Sequence, residues 1–335
     1  MNNLLYVIPN LNKVSGGPKT RISLLKAVFL NKNEDIIEKG NKFKKSFSTN
    51  KINIVYIESA TNRISLIDVF CLFLLRLRAK KVIVFIRDIY IELFPEEFTT
   101  TRSKITLIFN RLSNFYLSLI ATQMVFPTLK MGETFFAKNK FYKKRPYTDL
   151  PPGTYNILEN KVKPDFTKKL GILYLGSTKY KNSGFDKFLD FENKYRNNYN
   201  FYILSGDNNL EEKTQNTSIA ISKIPRNSIP DFVDTNNIAY AFHTRPRNKY
   251  DDLTFPIKVF DFLSFQLPFF TEKHIPVEKL LSNQYQLFAS MNNLEEIHNI
   301  IEGIDTKEYS LIIDFLKEIA INNTYQKRYD RILEI

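Results

Sequence analysis

A chain of 335 residues, 43% hydrophobic and 25% charged, is long enough for two hydrophobic cores and too apolar to be disordered. Its single cysteine, Cys71, excludes an internal disulfide and, with only three histidines, supplies no metal cluster, so a reducing cytoplasmic setting and no metal are expected. The net charge of +13 is uneven: residues 1–150 hold 25 Lys+Arg against 11 Asp+Glu, the remainder 23 against 24, and a surplus confined to the first half favours an anionic partner.

The opening "MNNLLYVIPN" has neither a basic leader nor a long apolar stretch, so no secretory signal is expected. Short β-branched runs at 4–9, 52–57, 81–86 and 123–127 alternate with helical spacing, the pattern of parallel α/β architecture. Gly16 and Gly17 fall between the first strand and the first helix, where backbone N–H groups can meet a phosphate or simply make a βα turn. Residues 38–50 read as a polar, basic surface loop, and "ISLIDVFCLFLL" at 64–75, too short for a membrane span and interrupted by Asp68, reads as a buried helix.

Arg87 and Asp88 end the third strand, where ligand crevices form in open sheets; Asp88 there can orient or deprotonate a hydroxyl, or serve as an ion-paired or capping acid. The helix at 102–121 joins Arg102, Lys104 and Arg111 to apolar neighbours. With Lys138, Lys140, Lys143, Lys144 and Arg145 it fits either peripheral contact with an anionic membrane through residues 102–145 or a packed helix under a basic surface.

Pro146, Pro151, Pro152, Gly153 and Pro164 form the densest cluster of breakers, which sets the expected domain junction near 155–165. Beyond it the alternation resumes, with strands at 168–176, 199–206, 237–243, 267–271 and 285–289 and helices near 183–197, 227–235, 255–265, 275–282, 293–302 and 308–322. His243 and Arg245 follow a strand, and Arg245 suits a phosphate. In "DDLTFPIKVFDFLSFQLPFF", Thr254 is expected to cap a helix with Pro256 in its first turn, so that free N–H groups and Lys258 can hold a phosphate. Asp261, three residues on, can accept bonds from ribose hydroxyls, although Lys258 and Asp261 also fit a solvated i,i+3 pair.

These last residues resemble the donor-binding segment of glycosyltransferase family 4 and its capsule and lipopolysaccharide relatives. Similarity extends to "IPRNSIPDFVDTNNIAYAFHTRPR" at 224–247 and "LGILYLGSTKYKNSGFDKFLDF" at 170–191, and so covers most of the second half. The resemblance implies a GT-B fold, α/β with two Rossmann-like domains whose parallel sheets face a central cleft. Residues 1–155 would bind the acceptor, residues 156–322 a nucleotide sugar, and residues 323–335 would form a helix crossing back. It further implies retaining transfer to a saccharide or lipid-linked acceptor in cell-surface polysaccharide synthesis, without a cofactor.

By the same resemblance Gly16 and Gly17 would face the donor, the helix at Pro256 would hold the diphosphate and Asp261 the ribose, with Asp88 near the acceptor. The chain departs from the family at Leu253, where a Glu is usual, and at Ser177, where an Arg is usual. Lys179 or Lys181 is left to neutralise the diphosphate, and the neighbouring Asp251 or Asp252 to stand in for the Glu. A polyol-phosphate transferase and a non-catalytic subunit of the same fold remain open. Nucleic acid is not expected as a partner, because no basic-aromatic stripe or RNA-binding motif is present, and the absence of G-x-G-x-x-G leaves no dinucleotide fingerprint.

Overall fold

The computed structural model describes residues 4–40, 51–59, 64–155, 157, 163–180 and 182–335. Most of the expected loop at 38–50, part of the expected junction and Lys181 therefore lie outside the described residues. The chain divides into two compact units, one made of Met1–Gly153, Leu253–Phe255 and Thr324–Ile335, the other of Thr154–Asp252 and Pro256–Asn323.

In the first unit β1 (Leu4–Ile8), α1 (Gly16–Asn31), β2 (Asp35–Glu38), β3 (Ile52–Ser59), α2 (Leu66–Arg78), β4 (Ala79–Ile86), α3 (Tyr90–Leu93), α4 (Thr101–Ile120), β5 (Gln123–Phe126), α5 (Leu129–Lys138) and β6 (Tyr147–Asp149) follow in order. Six parallel strands lie in the order β2-β1-β3-β4-β5-β6. The central strands are continuous apolar runs, as they must be with helices on both faces. The C-terminal helix Tyr325–Glu334 belongs to this unit: Phe29 of α1 packs edge-on against Tyr329 at 5.1 Å, and the Tyr329 hydroxyl donates to Glu34 at 2.7 Å. Helix α2 departs from the expected buried helix. Only Asp68, Cys71, Leu72 and Leu75 turn inward, and Leu66, Ile67, Phe70, Phe73 and Leu77 are exposed.

The second unit runs through β7 (Gly171–Leu175), α6 (Phe185–Tyr195), β8 (Asn200–Leu204), α7 (Leu210–Thr214), β9 (Ala220–Ser222), α8 (Ile229–Thr235), β10 (Ile238–His243), α9 (Ile257–Phe265), β11 (Phe269–Thr271), α10 (Ile275–Leu281), α11 (Leu294–Gly303) and α12 (Thr306–Asn322). Its five parallel strands lie in the order β11-β10-β7-β8-β9. The expected strand at 285–289 reduces to a single bridge between Thr271 and Phe288. An aromatic core of Tyr174, Phe188, Phe191 and Phe242 fills the space between α6 and the sheet.

Candidate nucleotide-binding site

From β7 the chain winds outward to β8 and β9, then returns to β10 on the other side of β7. The carboxyl ends of β7 and β10 therefore flank a topological switch point, where open α/β sheets leave a crevice. Gly176 follows β7 with φ +110°, a backbone that a side chain would strain. Gly184 closes the following loop at φ +67°, and a Cβ there would lie 1.9 Å from the Thr244 carbonyl oxygen. The Thr244 hydroxyl donates to the Ser183 carbonyl at 3.0 Å, so the loops after β7 and β10 are pinned together.

Asp207, just past β8, braces the β7 loop by accepting from the Thr178 N–H at 2.6 Å and the Ser177 hydroxyl at 2.9 Å. Burial pushes its carboxyl up, but the bonds from Thr178 and Ser177 and the charge of Lys179 outweigh that and lower it. Lys179 Nζ lies 4.0 Å from Asp207 and is mostly exposed.

Helix α9 points its start at the same place. Pro256 is its N-cap and supplies no side-chain cap to the N–H groups of the first turn. The expected capping role of Thr254 fails, because the helix starts at Ile257 and Thr254 belongs to the first unit. Lys258 reaches back over the sheet with Nζ 4.7 Å from the centroid of the Tyr174 ring. Burial, then the charge of Arg245, lowers its ammonium to about 8, with Asp207 acting in the opposite sense. Among the described residues no carboxylate lies within salt-bridge distance of it. A half-buried cation beside a helix start and without a close counter-ion is suited to an anion such as a diphosphate.

Asp261 lies on α9, and Lys258 is not its partner. It pairs with Arg226, and the Tyr155 hydroxyl approaches its Oδ1 at 3.4 Å. The Arg226 guanidinium covers the Tyr155 ring at 4.7 Å and donates to its hydroxyl. Arg245 donates to the buried Asp251 at 2.6 Å, and Asn248 donates to the same carboxylate. Burial raises the Asp251 carboxyl, opposed by Arg245 and His274. Asp252 accepts from Arg247 at 3.0 Å, so both acids beside Leu253 are engaged within the loop. His243 is buried with Nδ1 3.0 Å from the Thr271 hydroxyl, and burial, His274 and Lys258 lower it well below the usual imidazole range. That is a structural histidine.

The structure thus brings Lys179, Arg245, Lys258 and Asp261 into the second unit, on the loops and helix start beyond β7 and β10. Gly176, Tyr174, Asp207, Arg226 and Tyr155 join them without having been singled out from the sequence. Only the Gly that ends a strand and the acid after "YILSG" carried any local signal.

In the first unit Gly16 opens α1 at φ +63°, next to Gly17 and behind Ser15, which caps without a side-chain bond. Asp88 follows β4, nearly buried and paired with Arg87. Close by in sequence, Glu92 is buried on α3 and accepts from the Asn114 amide at 2.8 Å. Burial raises its carboxyl to about 7 against the Asn114 bond, and the charge of Asp88 adds to the rise.

No protein-family model and no curated protein matches the sequence. Solved structures do. The chain is similar to an alpha-glucosyltransferase in complex with UDP and a 13-mer DNA containing an HMU base, at TM-score 0.67 and 11% identity over 98% of this chain and 99% of that one. It is similar to the lipopolysaccharide outer core galactosyltransferase WaaB in its apo form, at 0.60 and 11% over 98% and 99%. A chain of the GtfA/B complex aligns at 0.57 and 11%, over 87% of this chain but 59% of its own length. At such identities the likeness speaks for architecture, and the chain has the fold of GT-B glycosyltransferases: two units, each built on a parallel sheet with helices on both faces.

Proposed function

We propose that this protein is a glycosyltransferase that moves a sugar from a nucleoside-diphosphate sugar to an anionic or lipid-linked saccharide acceptor. The observation that carries the reading is Lys258: a half-buried lysine whose ammonium has no close carboxylate among the described residues, lying over Tyr174 at the switch point beside the start of α9. A half-buried lysine with a purely structural role would be expected to keep an ion-pair partner or turn out to solvent. Solved proteins of this fold are described in complex with UDP or UDP-glucose, which supports a uridine nucleotide as the first donor to try.

In this reading the reaction breaks the bond between the anomeric carbon and the diphosphate oxygen and forms one to an acceptor hydroxyl oxygen. The proton of that hydroxyl leaves with the diphosphate or passes to a base, for which Asp88 is the candidate. Lys258, Lys179 or Lys181, Arg245 and the N–H groups of α9 would meet the charge developing on the leaving diphosphate, with no reorganisation required at that moment. Asp261 would exchange its contact with Arg226 for the ribose hydroxyls. Retention at the anomeric carbon and a role in cell-surface polysaccharide synthesis rest on the family resemblance.

A panel of nucleotide sugars and nucleoside-diphosphate polyols incubated with the protein, followed by chromatography of the released nucleotide, tests this. Release of a nucleoside diphosphate supports sugar transfer. Release of a monophosphate supports a polyol-phosphate transferase instead, and binding without turnover a non-catalytic subunit.

A further inference from the structure

Helices α2 and α4 lie side by side in the first unit, tied by the Tyr116 hydroxyl donating to the Val69 carbonyl at 2.5 Å and by the Ile64 N–H donating to Ser113 Oγ at 3.0 Å. Each buries one face and leaves an apolar one open. On α2, Leu66, Phe70 and Leu77 are 88%, 59% and 67% exposed, at helical spacing along one face. On α4, Ile105, Ile108 and Leu112 form a second stripe, with Ile108 57% exposed. Phe141 is 92% exposed on a segment bound to α4: the Tyr142 hydroxyl donates to the Arg111 carbonyl at 3.1 Å, Lys143 N–H to Ser118 Oγ at 3.1 Å and Arg145 Nε to the Ser118 carbonyl at 3.0 Å. Large apolar side chains left exposed in stripes on two neighbouring helices mark an interaction site.

Charge selects the occupant. Residues 98–132 and 134–148 contain no Asp or Glu, and the only acid on α2, Asp68, is buried in its own capping box with Ser65. Lys104, Lys140, Lys143 and Lys144 are exposed around the ridge. Burial and then the charge of Arg76 lower the Arg145 guanidinium, a sign of how closely cations crowd here. A second copy of the chain would set this basic rim against itself. A nucleic acid would satisfy the lysines and leave the leucines and phenylalanines in contact with phosphate. Among the described residues no helix is long and apolar enough to cross a membrane, so the ridge is not part of a span.

We infer that the α2–α4 face seats the protein on an anionic lipid bilayer, with the Leu66–Phe70–Leu77 and Ile108–Leu112 stripes and Phe141 in the interface and the lysines at the headgroups. The inference is independent of the nucleotide site, because all its residues belong to the first unit and Lys258 and Asp261 to the second.

Flotation of the full chain with phosphatidylcholine vesicles, with and without phosphatidylglycerol, tests it. Expected is partitioning onto the anionic vesicles only, weakened by more than about tenfold in Phe70→Ser/Leu77→Ser and again in Lys140→Ser/Lys143→Ser/Lys144→Ser. Both variants change exposed side chains, and an unchanged melting temperature shows that they fold. Protein that stays in the soluble fraction at low salt overturns the inference. So does binding that the apolar variant leaves intact, which would be plain electrostatic adsorption. Dimers by light scattering, or retention of duplex DNA without vesicle binding, assign the face to another partner and overturn it equally.

Discussion

Lys258 folds its side chain over Gly176 so closely that a Cβ on the glycine would lie 2.5 Å from Lys258 Cε and 2.9 Å from Nζ. The missing side chain just past β7 is what leaves room for the cation at the carboxyl end of the sheet. With φ at +110°, Gly176→Ala also faces backbone strain of about 1–3 kcal/mol. The expected outcome is a melting temperature lower by several degrees and loss of nucleotide binding. A variant that binds as the wild type does would mean that Lys258 need not occupy this place.

The depressed ammonium gives the site a pH signature. Lys258 ordinarily titrates near 10.5 and is lowered to about 8. Between those values the unfolded chain holds a proton that the folded chain has released, so this group's contribution to stability rises with pH across the window and is least favourable below it. Anion binding runs the other way, because the cation is lost as pH rises through about 8. Calorimetry should show UDP affinity falling by up to about tenfold per pH unit above that point. In Lys258→Met the slope should vanish.

Asp261 and Arg226 form a partly buried pair that the sequence separates by 34 intervening residues. Asp261→Ala leaves the guanidinium without its carboxylate, at a cost of about 1–3 kcal/mol in stability. Arg226→Ala/Asp261→Ala should recover part of it in a thermal or urea melt. Nucleotide binding should be lost in both if Asp261 holds the ribose, whereas a purely structural pair would let the double variant bind.

Glu92 offers a test confined to the first unit. Its carboxyl is raised from near 4.5 to about 7, so between those values the folded state holds a proton that the unfolded state lacks, and stability falls as pH rises through the window. Glu92→Gln keeps an oxygen for the Asn114 amide and removes the titration. Its stabilisation relative to wild type should be larger at about pH 8 than at about pH 5, as read by melting temperature.

How far the sequence carried this picture depends on what each feature needs. Strands β1, β3, β4, β5, β7, β8 and β10 lie inside their sheets, and their apolar runs announced them. Strands β2, β6 and β9 were missed because they are the edges of their sheets, three or four residues long and half covered, with no run to see. The parallel α/β class followed from the alternation alone.

The site was legible where chemistry is local, as in Pro256, Lys258 and Asp261 on one helix start. It was not legible where partners come from elsewhere. Nothing in "TFPIKVFD" says that Arg226 and Tyr155 will meet Asp261, or that Gly176 leaves room for Lys258. The apolar run at 64–75 misled for a related reason: helical spacing shows that a face exists, and only neighbouring elements decide whether it is covered.

The central claim is that Lys258 marks a nucleoside-diphosphate site, and one measurement bears on it most directly: the melting temperature of the wild type and of Lys258→Ala across UDP, ADP, GDP and CDP. At about a hundredfold excess over the dissociation constant, one of these should raise the wild-type midpoint by about 5 °C and leave Lys258→Ala unmoved. No shift with any of the four, or the same shift in both proteins, would contradict the account.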